Sequence, residues 1–277
     1  MRRKIHDTWM TELTSPDGAT ATVADHGAHV LSWTPALGGP AMFLSGRSQY
    51  GDGGAIRGGV PIIFPQFAER GPGRHHGFAR RAGWRQDFAG VENGRAVARY
   101  RLHGDDVAVQ DWQHGFELGF ELAFAGQDLH MTFTVQNCAD HAWEFGAALH
   151  TYLQVEDVGQ IRLGGLRGNA YIDKTKAMAM ATQEDELLAI RGEVDRIYLA
   201  VQQPIVVSDG GRIVTVEKHG FEDVVIWNPG PAAQMADMDE GGFRSFVCVE
   251  AGAVGKKIML QPGERWSGSQ SIRVGQS

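Results

Sequence analysis

A short basic segment, residues 56–85, has the composition that most clearly suggests ligand chemistry. It contains six arginines, two histidines and a single acid, Glu69, so six positive charges against one negative charge give +5, whereas the whole chain carries -7. Arginine suits phosphate because its planar guanidinium donates two parallel hydrogen bonds. Frequent glycine and proline favour a shaped loop over a long helix here. The segment predicts a site for a small anion, although any one arginine could simply pair with a surface acid.

Two titratable side chains stand at the ends of strongly apolar runs. His150 ends the run 145–150, and an imidazole there can exchange a proton near neutral pH. Glu250 closes the run 246–250, where partial burial would raise the pKa of its carboxyl and make it a useful base. The alternatives are a core histidine held by a carbonyl and a strand-end acid facing water. Together the two residues indicate a candidate acid–base pair.

The remaining polar residues give weaker signals. Asp195 could be an ordinary turn aspartate, and Asp237 and Asp239 are interpreted as solvated loop acids. The sequence contains no GxSxG, P-loop, HExxH, dinucleotide fingerprint or zinc-type cluster. Cys138 and Cys248 lack metal-ligand spacing, so we expect no disulfide framework and a reducing, cytoplasmic location.

The hydrophobic pattern is that of an all-β protein. Apolar residues alternate with polar ones over residues 116–124 and again over 129–135, which is typical of strands with one buried face. Similar short runs separated by glycine and proline turns fill most of the chain. One short helix is predicted over residues 183–190, with Thr182 as its cap. The expected fold is a large antiparallel β-sandwich or barrel, with residues 1–277 forming one domain.

The composition of the chain argues against nucleic-acid and membrane partners. The chain has 277 residues, 43% hydrophobic and 21% charged, which is ordinary for a soluble globular protein. A pI of about 5.9 argues against general nucleic-acid binding, which needs a basic face. No signal peptide and no apolar segment long enough to span a bilayer is recognised, so we expect no membrane partner.

Five segments in order give the chain a family resemblance. They are residues 56–65 (IRGGVPIIFP), 76–80 (HGFAR), 149–153 (LHTYL), 192–198 (GEVDRIY) and 246–251 (FVCVEA). On these segments the chain resembles the hexose-6-phosphate mutarotases of the aldose 1-epimerase, or galactose mutarotase-like, superfamily. The resemblance implies a β-supersandwich with few short helices, no cofactor and no metal. It also implies an isomerase that interconverts the α and β anomers of an aldohexose 6-phosphate, with glucose 6-phosphate as the expected substrate, and we expect a monomer.

The resemblance also implies roles for seven residues of this sequence. His150 resembles the general acid and Glu250 the general base. Arg57 and Arg80 resemble phosphate ligands, and Asp195 resembles the aspartate that holds sugar hydroxyls. The remaining two are substrate-contacting residues, His75, where relatives often have glutamine, and His76, which is expected near the sugar.

Three other functions remain open at this point. The first is a catalytically silent sugar-phosphate-binding module, which would bind without turnover. The second is a hydrolase or another kind of epimerase, but a hydrolase should pair two carboxylates across the scissile bond, whereas the segments supply one carboxylate and one histidine. The third is a mutarotase of unphosphorylated aldoses, which would not depend on Arg57.

Overall fold

β-Strands account for most of the regular structure. The structure is a computed structural model, and it describes residues 1–5, 8–51, 54–107 and 112–276. In chain order the strands are β1 (Arg2–Ile5), β2 (Thr8–Thr14), β3 (Thr20–Ala24), β4 (His29–Thr34), β5 (Ile62–Ile63), β6 (Arg85–Glu92), β7 (Arg95–His103), β8 (Phe116–Ala125), β9 (Asp128–Asn137), β10 (Trp143–Leu149) and β11 (Tyr152–Gln154). They continue with β12 (Arg162–Gly164), β13 (Ala170–Asp173), β14 (Ala179–Thr182), β15 (Leu188–Ala189), β16 (Val194–Tyr198), β17 (Ile205–Asp209), β18 (Arg212–His219), β19 (Asp223–Asn228), β20 (Phe246–Leu260) and β21 (Arg265–Gln276).

The strands form two large sheets and one small one. One large sheet has the order β14-β13-β16-β19-β20-β10-β5, with β11 also paired to β20. The other has the order β15-β12-β17-β18-β21-β9-β8-β7-β6, and β1 to β4 make the small sheet. All named strand pairs are antiparallel, for example β9 with β21 and β10 with β20. The predicted all-β, antiparallel fold class is therefore confirmed.

The core lies between the inner faces of the two large sheets. Strands β8 and β9 bury every second residue, as their alternation predicts. Their inward side chains, such as Phe133, belong to the same hydrophobic cluster as Phe145 and Val249 of the facing sheet. Aromatic contacts cross the interface, including Phe145 with Trp266 at 5.6 Å between ring centroids.

The predicted helix over residues 183–190 is wrong. The described residues contain four helices, all short 3-10 turns, at Ala79–Arg81, Gly104–Asp106, Lys174–Lys176 and Gly242–Ser245. At the expected position, Leu188–Ala189 forms β15 instead. The Gln183 side chain is buried and accepts a hydrogen bond from the Tyr198 hydroxyl at 2.9 Å. Eight residues are too few for a helix to be stable alone, so this tertiary contact determines the local conformation.

Two glycines set the path of the basic segment, residues 56–85. Gly59 has φ +58°, and a Cβ there would lie 2.1 Å from the Val30 carbonyl oxygen. Gly77 has φ +67°, and its Cβ would lie 2.0 Å from the Phe64 carbonyl oxygen. Only glycine tolerates such close backbone approaches. Gly59 therefore brings the segment against Val30 of the small sheet, and Gly77 brings it back against its own Phe64, so both ends of the intervening loop follow a defined path.

Two further findings concern the rest of the chain. Cys138 and Cys248 are both free, as expected. No helix among the described residues is long and apolar enough to cross a membrane.

Candidate active site

A cavity of about 510 Å³ opens between the basic segment and one face of the β20 sheet. Its floor comes from the strand β20 and the residue that follows β10, and its walls come from β16, β19 and the loops around them. The charged and titratable residues that line it are Arg57, His75, His76, Arg80, Arg81, His150, Lys174, Asp195, Asp237 and Glu250. The apolar part of its wall includes Phe67, Val225, Trp227 and Met235. All seven residues singled out from the sequence therefore line one cavity.

His150 and Glu250 lie opposite each other on the cavity floor. The antiparallel register aligns Leu149 with Ala251 and Tyr152 with Cys248, so the two titratable residues share the position between these pairs. Nδ1 of His150 is 3.3 Å from Oε1 of Glu250. The two residues are only 6% and 1% exposed. Side chains from distant parts of the sequence are thus brought close together, and His150 Nδ1 has no hydrogen-bond partner among the described residues.

Burial shifts the pKa values of this pair in opposite directions. Burial is the main cause that lowers the pKa of His150 well below 6.5, and the charges of Arg80 and Arg57 add to it. Burial also raises the pKa of Glu250 well above 4.5, and the negative charge of Asp195 reinforces the rise. Both shifts disfavour the charged forms, as expected for groups away from water. In the protein alone the carboxyl therefore tends to hold a proton and the imidazole tends to be neutral.

His76 is a third titratable group and is fixed as a neutral donor. Its Nδ1 accepts a hydrogen bond from the Ala68 N–H at 3.1 Å, so the neutral ring carries its proton on Nε2. Burial and the neighbouring His150 lower the pKa of His76 well below 6.5. Its ring packs edge-on against Phe67 and against His150, with centroids 4.9 Å and 5.6 Å away. His76 can donate to a ligand oxygen but is not an effective base.

Arg57 is held by partners from two other parts of the chain. Its Nε and Nη2 donate to Oδ2 of Asp237 at 3.2 Å and 3.1 Å. Its Nη1 donates to the Tyr152 hydroxyl at 3.0 Å. The Tyr152 ring in turn stacks on the His150 ring, with centroids 4.8 Å apart and planes 8° apart. Asp237 is therefore an ion-pair partner in the site, and its interpretation as a solvated loop acid is wrong.

Arg80 is buried without a carboxylate partner among the residues that the structure describes. It is 9% exposed, and its Nη2 donates to the His75 carbonyl at 3.1 Å. Its Nε has no hydrogen-bond partner among the described residues. Burial, together with the charge of Arg81, lowers the pKa of Arg80 to about 10. A buried arginine with an unused donor next to a cavity is suited to bind an anion, because an unpaired buried charge is costly.

One further ion pair and one histidine–carboxylate contact lie at the edge of the cavity. Asp195 on β16 accepts a hydrogen bond from Nζ of Lys174 at 2.6 Å. His75 is more exposed, and its Nδ1 is 2.6 Å from Oε1 of Glu69. Lys174, Asp195 and His75 line the cavity, so each can exchange its partner for an entering polar ligand.

One donor set in the described part of the chain could hold a metal ion. His150, Cys248 and Glu250 place their ligand atoms within 4.8 Å of one another, and all three are buried. The same side chains lie in the positive field of Arg57 and Arg80, which contributes to the lowered pKa of His150. That field favours anions over cations, so the electrostatics fit an anionic ligand better than a metal ion.

Comparison with known proteins assigns the family. The aldose 1-epimerase family model matches residues 10–273. The chain belongs to the aldose 1-epimerase family. A protein of Cenchrus ciliaris that is provisionally named glucose-6-phosphate 1-epimerase is 33% identical over 88% of this chain and 78% of its own length. A protein of Escherichia coli K12 with the same provisional name is 31% identical over 99% and 92%.

A solved structure agrees with this assignment. A Salmonella typhimurium protein provisionally described as a mutarotase has 28% sequence identity and a TM-score of 0.91, covering 100% of this chain and 93% of its own. The galactose mutarotase-like fold and the family predicted from the five segments are both confirmed. Family membership makes this aldose 1-epimerase an isomerase that acts on a sugar.

Sequence reasoning gave no site role to Lys174, Trp227 and Asp237, which line the cavity. It also missed Tyr152, which lies outside the lining but accepts a hydrogen bond from Arg57. Tyr152 carried a local signal, since it lies two residues from His150 and shares its side of the strand. Lys174 and Asp237 carried none, because their partners are distant in the chain.

Proposed function

We propose that the protein interconverts the α and β anomers of a hexose 6-phosphate, with glucose 6-phosphate as the expected substrate. The observation that carries the proposal is the coexistence, in one cavity, of a buried His150–Glu250 pair and the Arg80 guanidinium, which forms no ion pair with any described residue. The pair suits hemiacetal chemistry, and Arg80 suits a remote phosphate. The names of the relatives point to the same substrate class.

The reaction requires one proton acceptor and one proton donor. In the opening step, Glu250 takes the proton of the anomeric hydroxyl while His150 protonates the ring oxygen, and the bond between C1 and the ring oxygen breaks. After rotation about the C1–C2 bond, His150 takes the proton back from the C5 hydroxyl and Glu250 returns its proton to the carbonyl oxygen. Closure on the other face gives the second anomer. Each general acid or base contributes about 10²–10⁴-fold to such a reaction.

Only one proton is shared by the pair in this scheme. One form has ionised Glu250 and protonated His150, and the other has neutral Glu250 and neutral His150. Burial favours the neutral form in the protein alone, as the pKa directions of both groups indicate. A phosphate dianion beside Arg80 and Arg57 would offset the positive charges that lower the pKa of His150, and would favour the ionised form that begins ring opening. The phosphate thus helps catalysis as well as binding.

The other polar residues have supporting roles in the proposal. Arg57 and Arg80 bind the phosphate, and Asp195 accepts hydrogen bonds from sugar hydroxyls. His76 donates from Nε2 to a sugar oxygen, and His75 contacts the substrate at the cavity edge. Orientation by these contacts lowers the entropic part of the barrier.

The domain organisation, oligomeric state and location of the protein are also proposals. We infer that residues 1–277 act as one domain, because consecutive strands β20 and β21 belong to different large sheets and join them. We also expect a monomer in a reducing cytoplasmic compartment, with no nucleic-acid partner.

The deciding experiment is anomer exchange measured by NMR magnetisation transfer with glucose 6-phosphate and with glucose. We expect acceleration for the phosphate ester and little for glucose. Equal acceleration of both sugars would retain the mutarotase chemistry and remove the phosphate preference. Binding of glucose 6-phosphate without any acceleration would contradict the enzyme and leave a sugar-phosphate-binding module.

A further inference from the structure

The backbone ladder is incomplete directly beside the His150–Glu250 pair. Facing residues in a hydrogen-bonded antiparallel rung exchange two N–H···O bonds. The register places Thr151 opposite Val249, and the Val249 N–H donates to the Thr151 carbonyl at 3.1 Å. The Thr151 N–H instead donates to the Leu149 carbonyl at 3.0 Å. The Val249 carbonyl is therefore left without its backbone donor.

The local path of the chain explains the missing bond. On the other side of this stretch, the His150 N–H donates to the Pro61 carbonyl at 3.0 Å, and the Tyr152 N–H donates to the Gly59 carbonyl at 2.9 Å. Residues 150–152 are thereby attached to the beginning of the basic segment, which contains Arg57. The bend that brings His150 toward this segment also turns the Thr151 N–H away from β20.

A side chain from the opposite sheet completes the rung. Gln270 lies on β21 and is fully buried. Its Nε2 donates to the Val249 carbonyl at 2.9 Å, and its Oε1 accepts from the Thr151 hydroxyl at 2.5 Å. Since Gln270 bonds both members of the rung, one amide links the residue that follows His150 to the residue that precedes Glu250.

We propose that Thr151 and Gln270 are positioning residues that fix the separation between His150 and Glu250. The proposal rests on the proposed function, since it assigns that separation to proton transfer. A buried amide in an apolar core costs desolvation and is stable only with its partners in place. Its bonds span the two sheets, so the relative position of the two catalytic side chains depends on the sandwich as a whole. A misplacement of about 1 Å can cost about 10²-fold in rate.

The test compares Thr151→Val with Thr151→Ser in the full-length protein. Thr151→Val replaces the hydroxyl that donates to Gln270 by a methyl group of similar size, whereas Thr151→Ser keeps the hydroxyl. We expect kcat for anomer exchange to fall about 10–100-fold in Thr151→Val with KM within about twofold, and to recover to within about threefold in Thr151→Ser. Ile272→Val, at the next inward position of β21, is the control for stability, and it should lower the melting temperature while leaving kcat unchanged.

A double variant tests whether the two residues act together. If they do, Thr151→Val combined with Gln270→Met should lose no more activity than Gln270→Met alone, because the hydroxyl has no partner left. Multiplication of the two losses would overturn the pairing. If Gln270→Met fails to fold, the comparison of Thr151→Val with Thr151→Ser still tests the positioning role.

A second measurement separates this inference from the proposed function. The ring resonances of His150 report its surroundings whether or not the protein turns over a sugar, and we expect them to shift in Thr151→Val but not in Thr151→Ser. Absence of anomer exchange in the wild type would contradict the proposed function alone. Wild-type resonances and wild-type kcat in Thr151→Val would overturn the positioning role, leaving Thr151 and Gln270 with a purely structural one.

Discussion

The polar groups on the floor of the cavity are buried, whereas most of those on its wall have hydrogen-bonding partners. On the floor, His150 and Glu250 are almost completely buried, and burial pushes their pKa values toward the neutral forms. On the wall, Arg57 has Asp237 and Tyr152 as partners, and His75 lies beside Glu69. Arg80 departs from the pattern of the wall, since no described carboxylate forms an ion pair with it.

This difference separates chemistry from recognition. Groups on the floor are attached to paired strands and are sensitive to small displacements, so substitutions there should act on kcat. Groups on the wall come from β16, β19 and the surrounding loops, and several of them already form hydrogen bonds with one another, so substitutions there should act on KM and on phosphate preference. Arg80 joins the two regions because its charge contributes to the lowered pKa of His150.

The largest expected effect is the loss of turnover when either titratable residue of the cavity floor, His150 or Glu250, is substituted. In the proposed mechanism Glu250→Gln and His150→Asn each remove one proton-transfer group with little change in size, so we expect kcat to fall about 10²–10⁴-fold. NMR exchange of glucose 6-phosphate measures the loss, and thermal unfolding checks that the variants are folded. Activity within a few-fold of the wild type in both variants would refute the assignment.

The next largest effect is expected from substitution of Arg80, the wall arginine that forms no ion pair with a described carboxylate. A hydrogen bond to a charged group contributes about 1.5–3 kcal/mol, so Arg80→Ala should lower kcat/KM for glucose 6-phosphate about 10–100-fold. Activity toward glucose should change much less.

Arg74→Ala is the matched control for Arg80→Ala. Arg74 belongs to the same basic segment but lines a separate cavity of about 520 Å³ that contains neither His150 nor Glu250. It removes the same charge, so an equal loss in both variants would indicate general attraction of the phosphate rather than direct contact with Arg80.

The protonation of His150 tests whether an anion bound at the arginines of the wall changes the pKa of this floor residue. The pKa of His150 lies below 6.5 in the free protein, so at pH 6.5 the neutral imidazole should predominate. A bound phosphate adds negative charge, which should raise this pKa and increase the protonated fraction at fixed pH. Nitrogen NMR of the His150 ring with and without inorganic phosphate measures the change. A decrease in protonation on binding would contradict the proposed role of the phosphate.

The smallest effect concerns the partner of Arg57. Asp237 occupies two of the guanidinium donors that a phosphate would use. Asp237→Asn removes the competing charge, and because partly exposed ion pairs contribute about 0–1 kcal/mol, KM for glucose 6-phosphate should fall by up to about fivefold. Glucose serves as the control substrate, and its KM should not change. An increased KM for the phosphate ester would mean that Asp237 orients Arg57 rather than competes for it.

Local patterns in the sequence determined the fold class and the candidate residues. Period-two alternation specified strands such as β8 and β9, because the spacing of the apolar residues alone places their side chains on one face of a strand. His150 and Glu250 were recognisable as polar residues closing apolar runs, and the basic segment was recognisable by its charge. The same local reasoning failed over residues 183–190, where a buried contact with Tyr198 outweighs helix propensity.

Only the tertiary structure decided how these residues are combined. The register of β10, β11 and β20 places His150 opposite Glu250, although one hundred positions separate them in the sequence. Long-range packing also gives Arg57 a carboxylate partner and leaves Arg80 without a described one. Local spacing fixes which face of a strand a side chain occupies, but the charge that it meets across the cavity depends on the pairing of distant strands and loops, and the sequence pattern does not encode that pairing locally.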